Sequence, residues 1–171
     1  MVGGGAAGIQ GVGTMITPGK LLRSNYAVLA ISLALAAVFI YAGIDKMRNP
    51  LDFADSIAAF AILPAACINL MAMGLPPFEI GCGLLLIGPA TRRVGALAVA
   101  VISSIFFIAL ASALIRGLTL DCGCFGVGAP SRPRMWLELG LDAVLVAGAV
   151  FVYLQSLGRM WARAANTPAI N

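Results

Sequence analysis

Residues 26–44, YAVLAISLALAAVFIYAGI, run without a single charged side chain. A bilayer's hydrocarbon core of ~30 Å takes roughly 20 apolar helical residues to cross, and this stretch is close to that length. Three further stretches read the same way. The second span is predicted over 65–87, interrupted at Gly74-Leu75-Pro76-Pro77, where each proline lacks the N–H of a helix interior and a kink is expected. A third, over 94–115, is entered through the basic turn Arg92-Arg93, and a fourth, over 136–157, ends near Arg159, Trp161 and Arg163. The period-two alternation of barrel strands is missing. The fold class is therefore all-α: a polytopic membrane protein built as a four-transmembrane-helix bundle.

Composition supports this. Of 171 residues, 61% are hydrophobic and 11% charged, and the mean hydropathy is +0.99. So small a chain has too little interior to hide that apolar surface from water, so most of it must face lipid. The net charge of +4 comes from 11 basic and 7 acidic residues. The basic ones stand in ones and twos between apolar runs, as span flanks do, so no nucleic-acid partner is expected. Residues 1–24 read as a flexible Gly-rich segment without the pattern of a cleaved signal peptide, 25–158 as the membrane domain, and 159–171 as a C-terminal tail. Small residues such as Ala30/Ala34, Gly95/Val99 and Ala96/Ala100 are read as helix-packing positions.

The charged run Asp45-Lys46-Met47-Arg48-Asn49-Pro50 is expected to end span one as a turn, with Pro50 opening the next helix. Between Leu51 and Leu63, Phe53, Ile57, Phe60 and Leu63 recur at helical spacing while Asp52, Asp55 and Ser56 cluster apart. This predicts a short amphipathic helix between spans one and two. Orientation is weakly marked. Lys20, Arg23, Arg92, Arg93, Arg159 and Arg163 lie on one side, and Lys46, Arg48, Arg116, Arg132 and Arg134 on the other. Both termini are assigned to the cytoplasm.

Chemistry centres on Asp121-Cys122-Gly123-Cys124-Phe125-Gly126, after span three. Two thiols separated by one glycine can close a small, strained disulfide ring, and strain favours a bond that exchanges. As a structural staple it would close almost no loop. Two other readings stand beside exchange: a copper(I) site of two thiolates, and a structural turn with reduced thiols. Zinc is disfavoured, because the chain has no His and four Cys. Asp121 opposes thiolate formation at Cys122, whereas Arg116, Arg132 and Arg134 in the same loop favour it. Cys67 and Cys82 lie about 22 Å apart along one helix and cannot pair with each other. They are read first as small apolar filler.

Glu79 and Asp142 are acids placed inside spans, and such residues are commonly functional or paired. Glu79 and Cys82 share one helical face, so a polar pocket between spans two and four is expected. Its acids either order the bundle by hydrogen bonding or handle protons at a site.

In order along the chain, Tyr41-Ala42-Gly43-Ile44-Asp45-Lys46, Leu63-Pro64, Leu75-Pro76 with Glu79 and Gly83, and Asp121 to Gly126 resemble the MauE family of methylamine-utilisation membrane proteins, within the wider DoxX-like group of redox-associated proteins. The resemblance covers roughly residues 36–155. It implies a four-helix protein of the inner (cell) membrane with the Cys-Gly-Cys loop outside the cytoplasm. It also implies thiol-disulfide handling in support of a disulfide-rich partner, alongside a thioredoxin-like protein. On that view Cys122 and Cys124 are the exchanging pair, Glu79 is the family's in-span acid, and Asp121 and Asp142 complete the candidate set. Leu141 stands before Asp142 where a basic residue is expected, which weakens an ion pair there. The expected activity is thiol-disulfide oxidoreduction, with membrane quinone as the candidate electron acceptor and no resident metal. The competing readings are a non-catalytic scaffold or small-solute conductor in which Glu79 and Asp142 line a polar path, and a copper(I)-handling protein. No dinucleotide, phosphate or haem motif points elsewhere.

Overall fold

The structure, a computed structural model, describes residues 18–119 and 131–165, and side chains over 25–119 and 131–159. Five helices account for nearly all of it: α1 (Pro18–Arg48), α2 (Pro50–Ala59), α3 (Ala65–Ile87), α4 (Arg92–Ile115) and α5 (Arg132–Ala165). Four segments are long and apolar enough to cross a membrane: Asn25–Arg48, Ala65–Ile87, Arg92–Ile115 and Arg132–Arg159. With the short α2 between the first two, this is the predicted four-span bundle. Around the bundle α1 packs on α3, α3 on α4, α4 on α5 and α5 back on α1, while α2 lies against α3.

Why the spans face lipid is visible in what they leave outside. Leu70, Met73 and Leu84 of α3, Ile105 and Ile108 of α4, and Leu137, Val144 and Leu154 of α5 are exposed. Such contiguous apolar surface is not compatible with water. The inward faces carry small residues and a few large ones. Val28, Leu35, Phe39, Leu86, Val99, Ile102, Ala149 and Val152 form one apolar cluster. Leu110, Ala113 and Met135 form a second, with Phe60 and Leu139 packed against it.

Two sequence expectations are corrected. The charged run 45–48 does not end span one: α1 continues through Arg48. Basic residues suit the last turn of a helix, where the carbonyl ends carry partial negative charge, and Lys46 falls on the same face as buried Phe39 and Ala42. The amphipathic helix is shorter than the expected Leu51–Leu63, ending at Ala59. Ala61 adopts a left-handed φ of 51°, and Leu63 precedes Pro64, where sterics disfavour the helical conformation. Pro50 does open α2 at its first turn, and Phe53 is buried.

Pro76 and Pro77 lie inside α3, which is helical throughout Ala65–Ile87. Neither ring nitrogen can donate to the carbonyl one turn back. The register of α1 on α3 is set nearby by two glycines. A Cβ on Gly43 would stand 2.7 Å from Ile80 Cγ1 and 2.8 Å from the Pro76 carbonyl oxygen. One on Gly83 would stand 2.8 Å from Ile40 Cγ1 and 3.1 Å from the Ala36 oxygen. Each helix thus offers a glycine notch to the other, and the backbones approach closely.

The ends are tied by side chains that satisfy otherwise unpaired helix carbonyls. Thr91 Oγ1 donates to Leu85 O at 2.8 Å and Arg92 Nε to Leu86 O at 3.2 Å, closing the α3–α4 turn. At the opposite end Arg116, just past α4, donates to the Phe60 carbonyl beyond α2.

Candidate functional site

The glycine-notched contact of α1 with α3 brings Lys46, one turn past Gly43, against Glu79, one turn past Pro76. Lys46 Nζ donates to Glu79 Oε1 and to Oε2, each at 2.8 Å. Lys46 is 3% and Glu79 2% exposed, so this is a fully desolvated, two-pronged ion pair. The ammonium also lies 5.3 Å from the ring centroids of Phe53 and of Phe106. Phe53 comes from α2 and Phe106 from α4. Three helices besides α1 therefore converge on one lysine. The two rings present their negative faces to the cation, which stabilises it where water is excluded.

Ion pair and rings border a small cavity lined by Val38, Phe39, Ala42, Lys46, Glu79, Ser103, Phe106, Asp142 and Leu145. Asp142, 5% exposed, enters it from α5, on the opposite side of the bundle from α3. Ser103 enters from α4, and its Oγ is buried without a hydrogen-bond partner among the described residues. That is unusual in this chain. The hydroxyls of Ser32, Ser56, Ser104, Ser112 and Ser156 all bond back to a carbonyl of their own helix. One turn from Asp142 stands buried Glu138, whose Oε1 lies 3.4 Å from Arg134 Nε. That contact is an ion pair without hydrogen-bond alignment, since neither Glu138 oxygen accepts a hydrogen bond among the described residues. Along the bundle the polar layer lies between the two apolar clusters.

Of the residues singled out in the sequence, Glu79 and Asp142 are brought together on one cavity. Cys82 is buried one turn from Glu79, and Cys67 is half-buried in the first turn of α3; both are free. Asp121, Cys122 and Cys124 lie outside the described residues. Three residues of the site were not singled out by sequence reasoning as functional: Lys46, Ser103 and Glu138. Lys46 reads as an ordinary span flank until its spacing to Phe39 and Ala42 is noticed, and Glu138 stands four residues before Asp142, hence on the same helical face. Ser103 has no signal in the sequence, because every other helical serine described here is spent on its own backbone. Among the described residues no group of His, Cys, Asp and Glu could hold a metal ion.

The family model for methylamine utilisation protein MauE matches residues 24–155, a stretch that holds Lys46, Glu79, Ser103, Asp142 and the Cys122/Cys124 pair. The chain belongs to the MauE family. It is 33% identical over 126 residues to the methylamine utilization protein MauE of Methylophilus methylotrophus, covering 73% of this chain and 62% of the relative. To the MauE of Paracoccus denitrificans it is 32% identical over 124 residues, covering 72% and 66%. To that of Paracoccus versutus it is 34% identical over 132 residues, covering 77% and 70%. The chain thus spans slightly less than two thirds of the length of the first two relatives. No solved structure matches it. Its MauE membership and its four spans together make it a multi-pass membrane protein.

Proposed function

We propose that this MauE-family protein supports thiol-disulfide exchange with an extracytoplasmic protein, with Cys122 and Cys124 as the exchanging pair, and that it does so in methylamine utilisation. The observation that carries the reading is positional. The helix ends bracketing the pair, Ile115 of α4 and Arg132 of α5, lie at the end of the bundle where Arg116 bonds Phe60 and Phe60 packs beside Leu110, Ala113 and Met135. In this reading the thiols, joined in sequence to those two helix ends, meet a water-soluble partner at that end of the spans. The polar layer sits deeper: Asp142 is ten residues into α5, about 15 Å along its axis.

The exchange balances without another reagent. A partner thiolate attacks one sulfur of the Cys122–Cys124 disulfide, forming a mixed disulfide and releasing the other cysteine as thiolate. The partner's second thiolate attacks the mixed disulfide, leaving the partner oxidised and Cys122 and Cys124 as two thiolates, which take up the two protons that the partner's thiols released. Run backwards, the same steps reduce the partner. Returning the pair to the disulfide transfers two electrons and two protons to membrane quinone as the acceptor.

The test is thiol trapping in intact cells with a membrane-impermeant maleimide, with and without prior reduction, on wild type and Cys122→Ser/Cys124→Ser. Labelling of these two cysteines only after reduction, together with loss of partner disulfides in the double variant, supports the reading. Labelling that requires detergent permeabilisation, or partner disulfides that mature unchanged without both thiols, refutes it. A second reading, a non-catalytic scaffold or conductor, is favoured by one observation, the shared cavity of Glu79 and Asp142. It predicts function that survives loss of both cysteines and fails with Glu79→Gln.

A further inference from the structure

The Lys46–Glu79 pair is electrically closed, yet a second acid and a serine without a partner face the same cavity. We propose that this cavity is a proton-binding site, holding one exchangeable proton on the Asp142 carboxyl and one water that links it to Lys46, and reached through Glu138 from the α4–α5 loop end of the bundle.

The charge count comes first. The cavity's lining has one ammonium and two carboxyl groups among Val38, Phe39, Ala42, Phe106 and Leu145. Glu79 takes two of the three Lys46 N–H groups and neutralises the cation. An anionic Asp142 would then be a buried charge with no direct hydrogen bond among the described residues, at a cost of several kcal/mol. A proton on its carboxyl removes that charge and adds a donor. A monovalent metal cation would neutralise it equally well in charge, but would stand beside the Lys46 ammonium, which the site already holds.

The water follows from space and from partners. The cavity offers about 20 Å³ to water-sized molecules, enough for about one. Ser103, Lys46 and Asp142 all line it, which gives up to three polar side chains to partner a water, the number a buried water typically takes. A water there answers the one buried serine hydroxyl left without a bond.

The polar and charged groups that share the cavity with Asp142 are Lys46 from α1, Glu79 from α3 and Ser103 from α4, and Glu138, one turn back on its own helix, is the further charge acting on it among the described residues. Arg134, Glu138 and Asp142 recur every fourth residue, one polar stripe on α5. Arg134 is 32% exposed at its side chain and Glu138 5%, so the stripe leads from the surface inward. Beyond Asp142 the same face turns apolar, with Leu145, Ala149 and Val152 in the core. Proton access in this proposal is therefore from the end of the bundle at which α5 begins.

The site stands independently of the thiol reading, and its test does too. The measurement is infrared spectroscopy of the full chain in lipid vesicles, in H2O and D2O, reading the C=O stretch of a protonated carboxylic acid. Wild type shows this band at neutral pH and the band shifts in D2O; Asp142→Asn abolishes it; Ser103→Ala moves it to a different hydrogen-bonding position; and Glu138→Gln keeps it but slows its exchange at least several-fold. Cys122→Ser/Cys124→Ser leaves it unchanged. A wild-type spectrum without the band, a band that survives Asp142→Asn, or one that does not exchange overturns the proposal. Should Asp142→Asn fail to fold, a band at unchanged position in Ser103→Ala overturns it instead.

Discussion

Replacing Lys46 by Met keeps most of the side chain's volume and removes the only cation in the buried layer. Three losses can be sized from the geometry. Glu79 loses both of its 2.8 Å donors. Leaving one partner of a buried ion pair uncompensated costs about 3–5 kcal/mol. The two ring contacts at 5.3 Å add about 1–2 kcal/mol between them. The total is bounded, because an orphaned carboxyl can take up a proton, and neutralising an ordinary glutamate at pH 7 costs about 4 kcal/mol. With the ring contacts added to that ceiling, Lys46→Met should destabilise the bundle by about 4–6 kcal/mol at neutral pH. Glu79→Gln should cost less, since Asp142 on the same cavity supplies a replacement anion for Lys46. The double variant Lys46→Met/Glu79→Met removes both charges and should recover most of the loss, for a coupling of about 3 kcal/mol. The assay is reversible unfolding in mixed detergent micelles followed by helical circular dichroism. The deficit in Lys46→Met should also shrink as pH falls, as protons compensate for the lost cation. A coupling below about 0.5 kcal/mol, or a double variant as unstable as Lys46→Met, would refute the account of a closed ion pair at the centre of the bundle.

Four further outcomes follow from the same contacts. Gly43→Ala forces a methyl to within 3 Å of the Pro76 carbonyl oxygen and Ile80 and should cost about 1–3 kcal/mol in the same unfolding assay. Gly74→Ala, with nothing within 4 Å, should be neutral or stabilise by up to about 1 kcal/mol. Glu138→Gln trades a buried carboxylate without hydrogen bonds for a neutral amide and loses one half-exposed ion pair, so stability should hold within about 1 kcal/mol of wild type; a larger loss would mean that the Arg134 contact matters more than its alignment allows. Arg116→Ala removes the donor to the Phe60 carbonyl and should speed proteolytic cleavage between α2 and α3 several-fold while leaving global unfolding nearly unchanged.

The spans were legible because lipid imposes a simple demand on sequence. Every backbone group must be satisfied inside the helix, and the outer face must be apolar over a bilayer's thickness. Residues 65–87 and 94–115 meet it almost to the residue, the structure adding only Arg92 and Arg93 to α4. The ends of α1 and α5 were harder, because a charged residue reads as the end of a span whether its helix stops or continues. Asp45 to Arg48 continue α1, and Arg132 to Arg134 open α5 four residues before the predicted start at Trp136. The same ambiguity concealed Lys46. A lysine at a span end usually reaches outward to the headgroups, and only the packing of α1 on α3 through Gly43 and Gly83 turns this one inward. Glu79 and Asp142 were legible one at a time as in-span acids. Their meeting on one cavity depends on helix adjacency, which hydropathy does not encode.

The proposed proton site and the proposed thiol exchange ask different things of the protein. Sulfur exchange needs contact, since a thiolate must reach the disulfide it attacks. Asp142 lies ten residues into α5, about 15 Å along its axis from Arg132. A proton can cover such a distance along polar side chains, and Arg134, Glu138 and Asp142 form a polar stripe on α5 that leads inward from its first turn. A purely structural role for the layer would have been met by Lys46 and Glu79 alone, which neutralise each other and hold α1 on α3. The additional acid and the unspent hydroxyl of Ser103 add nothing to that function and carry a desolvation cost. Their presence on the same cavity is the ground for proposing that this bundle holds a proton as well as an ion pair.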